Sequence, residues 1–211
     1  MDRTITLGGV DFNLKLSLMI IVTTIVPMLD HYQHRLFEYK AYDRFFFYFV
    51  ISAIMILLIF RDDMRDYGFQ LGNWREGLLW TVGVGIVIGT ILWFMARTPA
   101  MQAYYELRAP DSVGLIIWLT SVELFAWEFV WRGFLLFGMA RYLGPGPAIF
   151  LQAVPFAFMH LGKPEVETLT TIFGGAGFGF VAWRTQSFVS PWLIHWFMVA
   201  FTMIVAAGFL G

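Results

Sequence analysis

The 211-residue chain contains no cysteine. That absence removes disulfides, thiolate metal ligands and cysteine nucleophiles together, and leaves the redox compartment open. Charge is scarce as well. Asp, Glu, Lys and Arg make up 14% of the residues, about half the share usual in soluble domains. The formal net charge of −1 supplies no basic surface, so no nucleic-acid partner is expected. There is no HExxH, which excludes the zinc-helix type of membrane protease. Every aspartate lies at or before Asp111, so an intramembrane aspartyl dyad cannot form in the C-terminal half. There is no GxSxG, and no serine flanks His160 or His195. Asparagine occurs only at Asn13 and Asn73. The opening segment MDRTITLGGVDFNLK lacks the layout of a signal peptide, so the first apolar span is expected to stay in the mature protein.

What the chain has in abundance is apolar length. Hydrophobic residues make up 59% and the mean hydropathy is +0.69. A bilayer core of about 30 Å takes about 20 apolar helical residues. Seven candidates follow: Leu14–Leu29 (with Pro27 at its exit), Phe45–Phe60, Leu78–Met95, Val113–Tyr142, Pro147–Leu161, Thr168–Trp183 and Phe188–Leu210. The expected fold is all-α, a polytopic bundle of about seven transmembrane helices (six to eight). Residues 1–211 read as one membrane-embedded domain, with N-terminal spans over 1–64 and a catalytic-type helical core over 65–211. The lipid bilayer is its first partner. Glycines 83, 85, 89, 174, 175, 177 and 179 are expected to let helices approach closely. Loops hold most charges, and His31 and His34, beside Asp30, read as solvated loop histidines.

Five ionisable residues break the apolar pattern: Glu123, Glu128, Arg132, His160 and His195. Each costs about 2.5–3.5 kcal/mol at membrane depth on insertion scales, which makes it a functional candidate. Glu128 and Arg132 are four apart and share a helix face, so an ion pair offsets part of that cost. By helical rise, Glu128 stands roughly 21 Å in from Tyr142, His160 roughly 20 Å from Pro147 and His195 roughly 10 Å from Phe188. All three can therefore meet in one layer. A carboxylate with two imidazoles can activate water for hydrolysis. The same set can also hold a divalent metal such as zinc, although no cofactor is required by the residues themselves. Glu167, seven after His160, is a further candidate near the same pocket mouth.

The segment WEFVWRGFLLFG (127–138) resembles the EExxxRG motif of the CAAX-protease and bacteriocin-processing family. PFAFMHLGKP (155–164) resembles its FxxxH motif, with Phe156 and His160 in register, and FVSPWLIHWFMVAF (188–201) resembles its last motif, which begins at His195. YGFQLGNWREGL (67–78) is similar to the stretch before an early span of that family, so the resemblance runs over roughly residues 65–205. It implies an all-helical, glutamate-type intramembrane protease whose site opens to the bilayer, acting on a membrane-associated peptide or protein. It places Glu128, Arg132, His160 and His195 at catalytic positions, with Phe156 in support, and the cytoplasmic membrane of a prokaryote as the setting; Glu123 and Glu167 are supporting candidates by their own placement in the chain. Two positions depart from the pattern. Trp127 stands where the first motif glutamate is usual, and Val199 where Asn or Asp is typical. Glu128 is therefore the expected base, and Glu123 the reserve. A catalytically inactive relative that binds a membrane peptide or partner is the alternative.

Overall fold

The computed structural model describes residues 4–32 and 35–210, so His34 lies outside the described residues. The chain opens with a β-hairpin that the all-α expectation did not include. Strands β1 (Thr4–Leu7) and β2 (Val10–Asn13) pair antiparallel. They turn at Gly8 and Gly9, whose φ angles of 59° and 80° are those a two-residue primed turn demands at both central positions.

Eight helices follow among the described residues: α1 (Leu14–His31), α2 (Lys40–Phe60), α3 (Trp74–Met95), α4 (Pro99–Glu106), α5 (Val113–Leu143), α6 (Pro145–Phe158), α7 (Glu165–Thr185) and α8 (Val189–Ala206). A one-turn 3₁₀ helix, Met64–Tyr67, precedes α3. Their starts follow local chemistry. The side chains of Asn13, Asn73 and Ser112 accept backbone N–H bonds at the first turns of α1, α3 and α5, and prolines open α4 and α6. Pro27 lies inside α1, which continues past it to His31. Five helices, α1, α2, α3, α5 and α8, are long and apolar enough to cross a membrane. The two others expected to cross are present as helices. However, α6 is only 14 residues long, and α7 carries Glu165, Glu167 and Arg184 along with its glycines. The short α4 falls between two of the expected spans, where no element was expected.

The bundle is built around α5. α2 packs on its first half, α6 returns along its second half, and α8 lies against both α5 and α3, while α6 and α7 run side by side. The stretch Phe129–Leu135 of α5 forms wider, π-type turns and is wholly buried. Rings of Phe49, Phe69, Phe129 and Phe188 fill the adjoining layer, with centroids 5.0–5.9 Å apart. Close approach at glycine holds at Gly175, Gly179 and Gly89, where an added Cβ would meet Phe156, Gln152 and Phe197. Around Gly83, Gly85, Gly174 and Gly177 there is open space instead.

Two polar clusters clamp the bundle. In one, Asp62 accepts from Lys15 Nζ (2.7 Å), Tyr67 (2.9 Å) and Arg141 (3.3 Å), tying α1 and the segment before α3 to the end of α5. Burial opposes the Asp62 charge, but the Lys15 and Tyr67 hydrogen bonds and the charges of Lys15 and Arg141 hold its pKa below the usual carboxylate value. In the other, Arg44 on α2 pairs with Asp30 (2.8 Å) and with Glu123.

A carboxyl whose folded pKa is depressed adds stability that is present above its unfolded pKa and is lost as pH falls through the folded one. Asp62→Asn is therefore expected to lower the melting temperature in detergent at neutral pH. The difference from wild type should shrink on acidification through the carboxylate range. A pH-independent difference would show that the charge of Asp62 contributes nothing.

Candidate functional site

The site grows from the middle of α5. Glu128 and Arg132 are both fully buried, with 0% side-chain exposure. Their i, i+4 spacing puts Arg132 Nε 3.2 Å from Glu128 Oε2 and Nη1 3.3 Å from Oε1. Bare charges would not survive at this depth, and the surroundings answer them in part, with Glu128 Oε2 and Arg132 Nε left to their mutual ion pair and no hydrogen-bond partner among the described residues. The Arg132 guanidinium lies 3.9 Å over the Phe156 ring and 5.2 Å from that of Phe178. Its Nη2 donates to the Gly175 carbonyl at 3.4 Å, an oxygen that also accepts from Gln152 at 2.9 Å. The absence of a Cβ on Gly175, which would meet Phe156 and Ala153, lets α7 bring that carbonyl close.

Glu128 also reaches across to α8. Its Oε1 lies 2.6 Å from His195 Nδ1. A carboxylate only accepts, so the hydrogen of this contact sits on Nδ1 and Nε2 is the nitrogen left free of Glu128. The imidazole is wedged between Phe178 and Phe156, with centroids at 5.3 and 5.8 Å. His160 stands just past the end of α6 and is pinned in the same way. Its Nδ1 lies 2.8 Å from the Phe156 carbonyl, an acceptor, and its ring is 4.7 Å from that of Phe156.

Glu128, Arg132 and His195 are thus in direct polar contact, and Phe156 and His160 stand against them. Glu123 is elsewhere. It faces α2 and is paired with Arg44, as the five-residue step around the helix from Glu128 requires. Glu167 lines a cavity of about 320 Å³ together with His160, His195 and Tyr105. It accepts from Tyr105 at 2.8 Å and from Lys163 at 2.6 Å. Burial first, and then the Glu167 charge and hydrogen bond, push the Tyr105 hydroxyl pKa well up, so that it stays a proton donor. Glu128 is not among the lining residues and stands behind His195. The rest of the wall is mainly apolar, including Leu92, Met95 and Val199.

Trp127 is buried at the position where the family motif has its first glutamate. It touches Tyr48 (5.2 Å), Phe156 (6.1 Å) and His160 (6.2 Å). The Arg44 guanidinium covers its ring at 5.0 Å. Its indole N–H has no partner among the described residues. Among those residues no group of three His, Cys, Asp or Glu side chains converges to hold a metal ion.

Sequence reasoning missed Gln152 and Phe178, which support Arg132, and Arg44 and Tyr105, which hold Glu123 and Glu167. For the first three no local pattern signals the contact. For Tyr105 the missing signal was α4 itself, although Pro99 at its first turn marks a helix start.

A chain with several membrane-spanning helices and a charged cluster sealed among them is an integral, multi-pass membrane protein with an intramembrane polar site. Residues 109–201 match the family model described as type II CAAX prenyl endopeptidase Rce1-like. The three motifs all lie within that stretch, which is thus similar to the CAAX-protease and bacteriocin-processing family. No curated protein and no solved structure matches.

Removing one partner of a buried pair strands the other charge, at about 3–5 kcal/mol. Arg132→Met should therefore lower stability by about that much, and Glu128→Gln combined with Arg132→Met by clearly less. Unfolding in detergent measures both. Equal losses in the single and double variants would mean that packing around Arg132, and not its charge, is what matters.

Proposed function

We propose that the protein is an intramembrane endopeptidase that hydrolyses a peptide bond in a membrane-associated protein or peptide, with water activated by the Glu128–His195 pair. The observation that carries this reading is the 2.6 Å contact between Glu128 and Nδ1 of His195. It leaves Nε2 of a cavity-lining imidazole as the proton acceptor. Glu128 acts through His195, holding its tautomer and stabilising the imidazolium that forms when Nε2 takes a proton from water. His160, whose Nδ1 is occupied by the Phe156 carbonyl, offers its own Nε2 to hold that water. The hydroxide oxygen bonds to the scissile carbonyl carbon, and a tetrahedral oxyanion forms beside the charged imidazole. The C–N bond then breaks as His195 returns the proton to the leaving amine. Arg132 is a positioning residue that keeps Glu128 ionised and in place. Low polarity in the apolar cavity strengthens each of these interactions.

This assignment moves the base from the carboxylate expected at the motif to the imidazole in front of it. It gives a reason why tryptophan is tolerated at 127, because no carboxylate is needed there. The prenylated CAAX peptides implied by the name of the matching family are the first substrates to try, alongside unmodified membrane peptides.

The decisive assay is proteolysis by purified protein in liposomes. His195→Gln, which keeps a donor for Glu128 but has no basic nitrogen, and Glu128→Gln should each lower kcat at least about 100-fold, the usual size of a general-base contribution. Glu123→Gln should cut at close to the wild-type rate. Full activity in His195→Gln would sink the base assignment. Tight binding of a membrane peptide with no cleavage of any substrate would leave the non-catalytic reading.

A further inference from the structure

The N-terminal hairpin is amphipathic, and its apolar face is left exposed by the described residues. Opposed residues of an antiparallel pair lie on one face of the ribbon. The register pairs Ile5 with Phe12 and Leu7 with Val10, and on the other face Thr4 with Asn13 and Thr6 with Asp11. One face is therefore wholly apolar, and the other carries hydroxyls, an amide and a carboxylate. The apolar residues are 42%, 44%, 65% and 54% exposed for Ile5, Phe12, Leu7 and Val10. The polar face is tied within itself, since the Thr6 hydroxyl donates to Asp11 at 2.5 Å.

Position identifies what covers the apolar face. β2 runs without a break into α1, and its last residue, Asn13, caps that helix. α1 is one of the membrane-spanning candidates, and its outer surface carries exposed Ile20, Ile21 and Ile25. Lys15, the second residue of α1, joins the Asp62–Arg141 charge cluster, and the cost of charge in lipid sets such a cluster at the edge of the hydrocarbon layer. The hairpin therefore begins at the bilayer boundary. A two-stranded ribbon alone is at best marginally stable in water and needs a surface to pack on. We infer that the hairpin docks on the bilayer, with Ile5, Leu7, Val10 and Phe12 in the interfacial layer and Thr4, Thr6 and Asp11 toward water. It thereby anchors the start of α1 on the side of the membrane away from the Tyr105–Glu167 mouth of the cavity.

The absence of cysteine makes the test clean. Leu7→Cys, Phe12→Cys and Thr6→Cys, each as a single variant of the full chain, can be spin-labelled in liposomes of mixed neutral and anionic phospholipid. Collision with dissolved oxygen and with a water-soluble nickel chelate is then measured. Labels at 7 and 12 should be open to oxygen and at least several-fold less accessible to nickel than the label at 6. Equal nickel access at all three would overturn the inference, because the hairpin would then stand in water. Immobile labels at 7 and 12 shielded from both reagents would also overturn it, because protein and not lipid would then cover that face. Neither outcome bears on the peptidase reading, which proteolysis tests separately.

Discussion

The buried contact of Glu128 with Arg132 and His195 constrains everything near it. Two opposite charges deep in an apolar bundle hold only while each stays satisfied, because desolvation exceeds what a loosely matched pair returns. Glu128 therefore needs both Arg132 and His195. Arg132 needs in turn the Phe156 face, the Phe178 face and the Gly175 carbonyl. Those partners come from α6 and α7, and His195 from α8. A single ion pair thus specifies how four helices approach one another.

The packing around the pair reads as a consequence. The wide turns of α5 fall on the segment that carries Arg132, and such bulges are frequent at functional sites. Gly175 stands where the α7 backbone must come within reach of the guanidinium and of Gln152. The aromatic layer of Phe49, Phe69, Phe129 and Phe188 excludes water from one side of the same stretch. On the far side of Trp127 a second set of charges, Asp30, Arg44 and Glu123, is closed on itself. It ties α1 and α2 to α5 and keeps Glu123 away from the histidines. The two glutamates of α5 therefore serve different partners, one joining the N-terminal helices and the other the candidate site.

The separation of Glu128 from the cavity wall has a chemical consequence. A carboxylate that meets water directly would act as the base, while one that stands behind an imidazole acts by setting that imidazole's tautomer and charge. His195 and His160 each have Nδ1 engaged by an acceptor. The cavity that both line is otherwise largely apolar, with Glu167 held at its edge by Tyr105 and Lys163.

Much of this was legible in the chain. The apolar runs located α1, α2, α3, α5 and α8 because membrane helices announce themselves by composition and length. The cost of charge in lipid pointed to Glu128, Arg132, His160 and His195, and their helical spacing already put the first two on one face. Local spacing, by contrast, did not reveal the partner of Glu123, the cradle of Gly175, Gln152 and Phe178 around Arg132, or α4 with its Tyr105, because those contacts join residues far apart in the chain. Composition and spacing by themselves determined that this is a helical membrane protein with a costly polar layer in its C-terminal half, since both facts follow from transfer energies residue by residue. Which glutamate meets a histidine, which nitrogen of that histidine is left free, and which side chains face the cavity were decided only by the tertiary structure, because a hydrogen bond depends on where two helices cross and not on what either one contains.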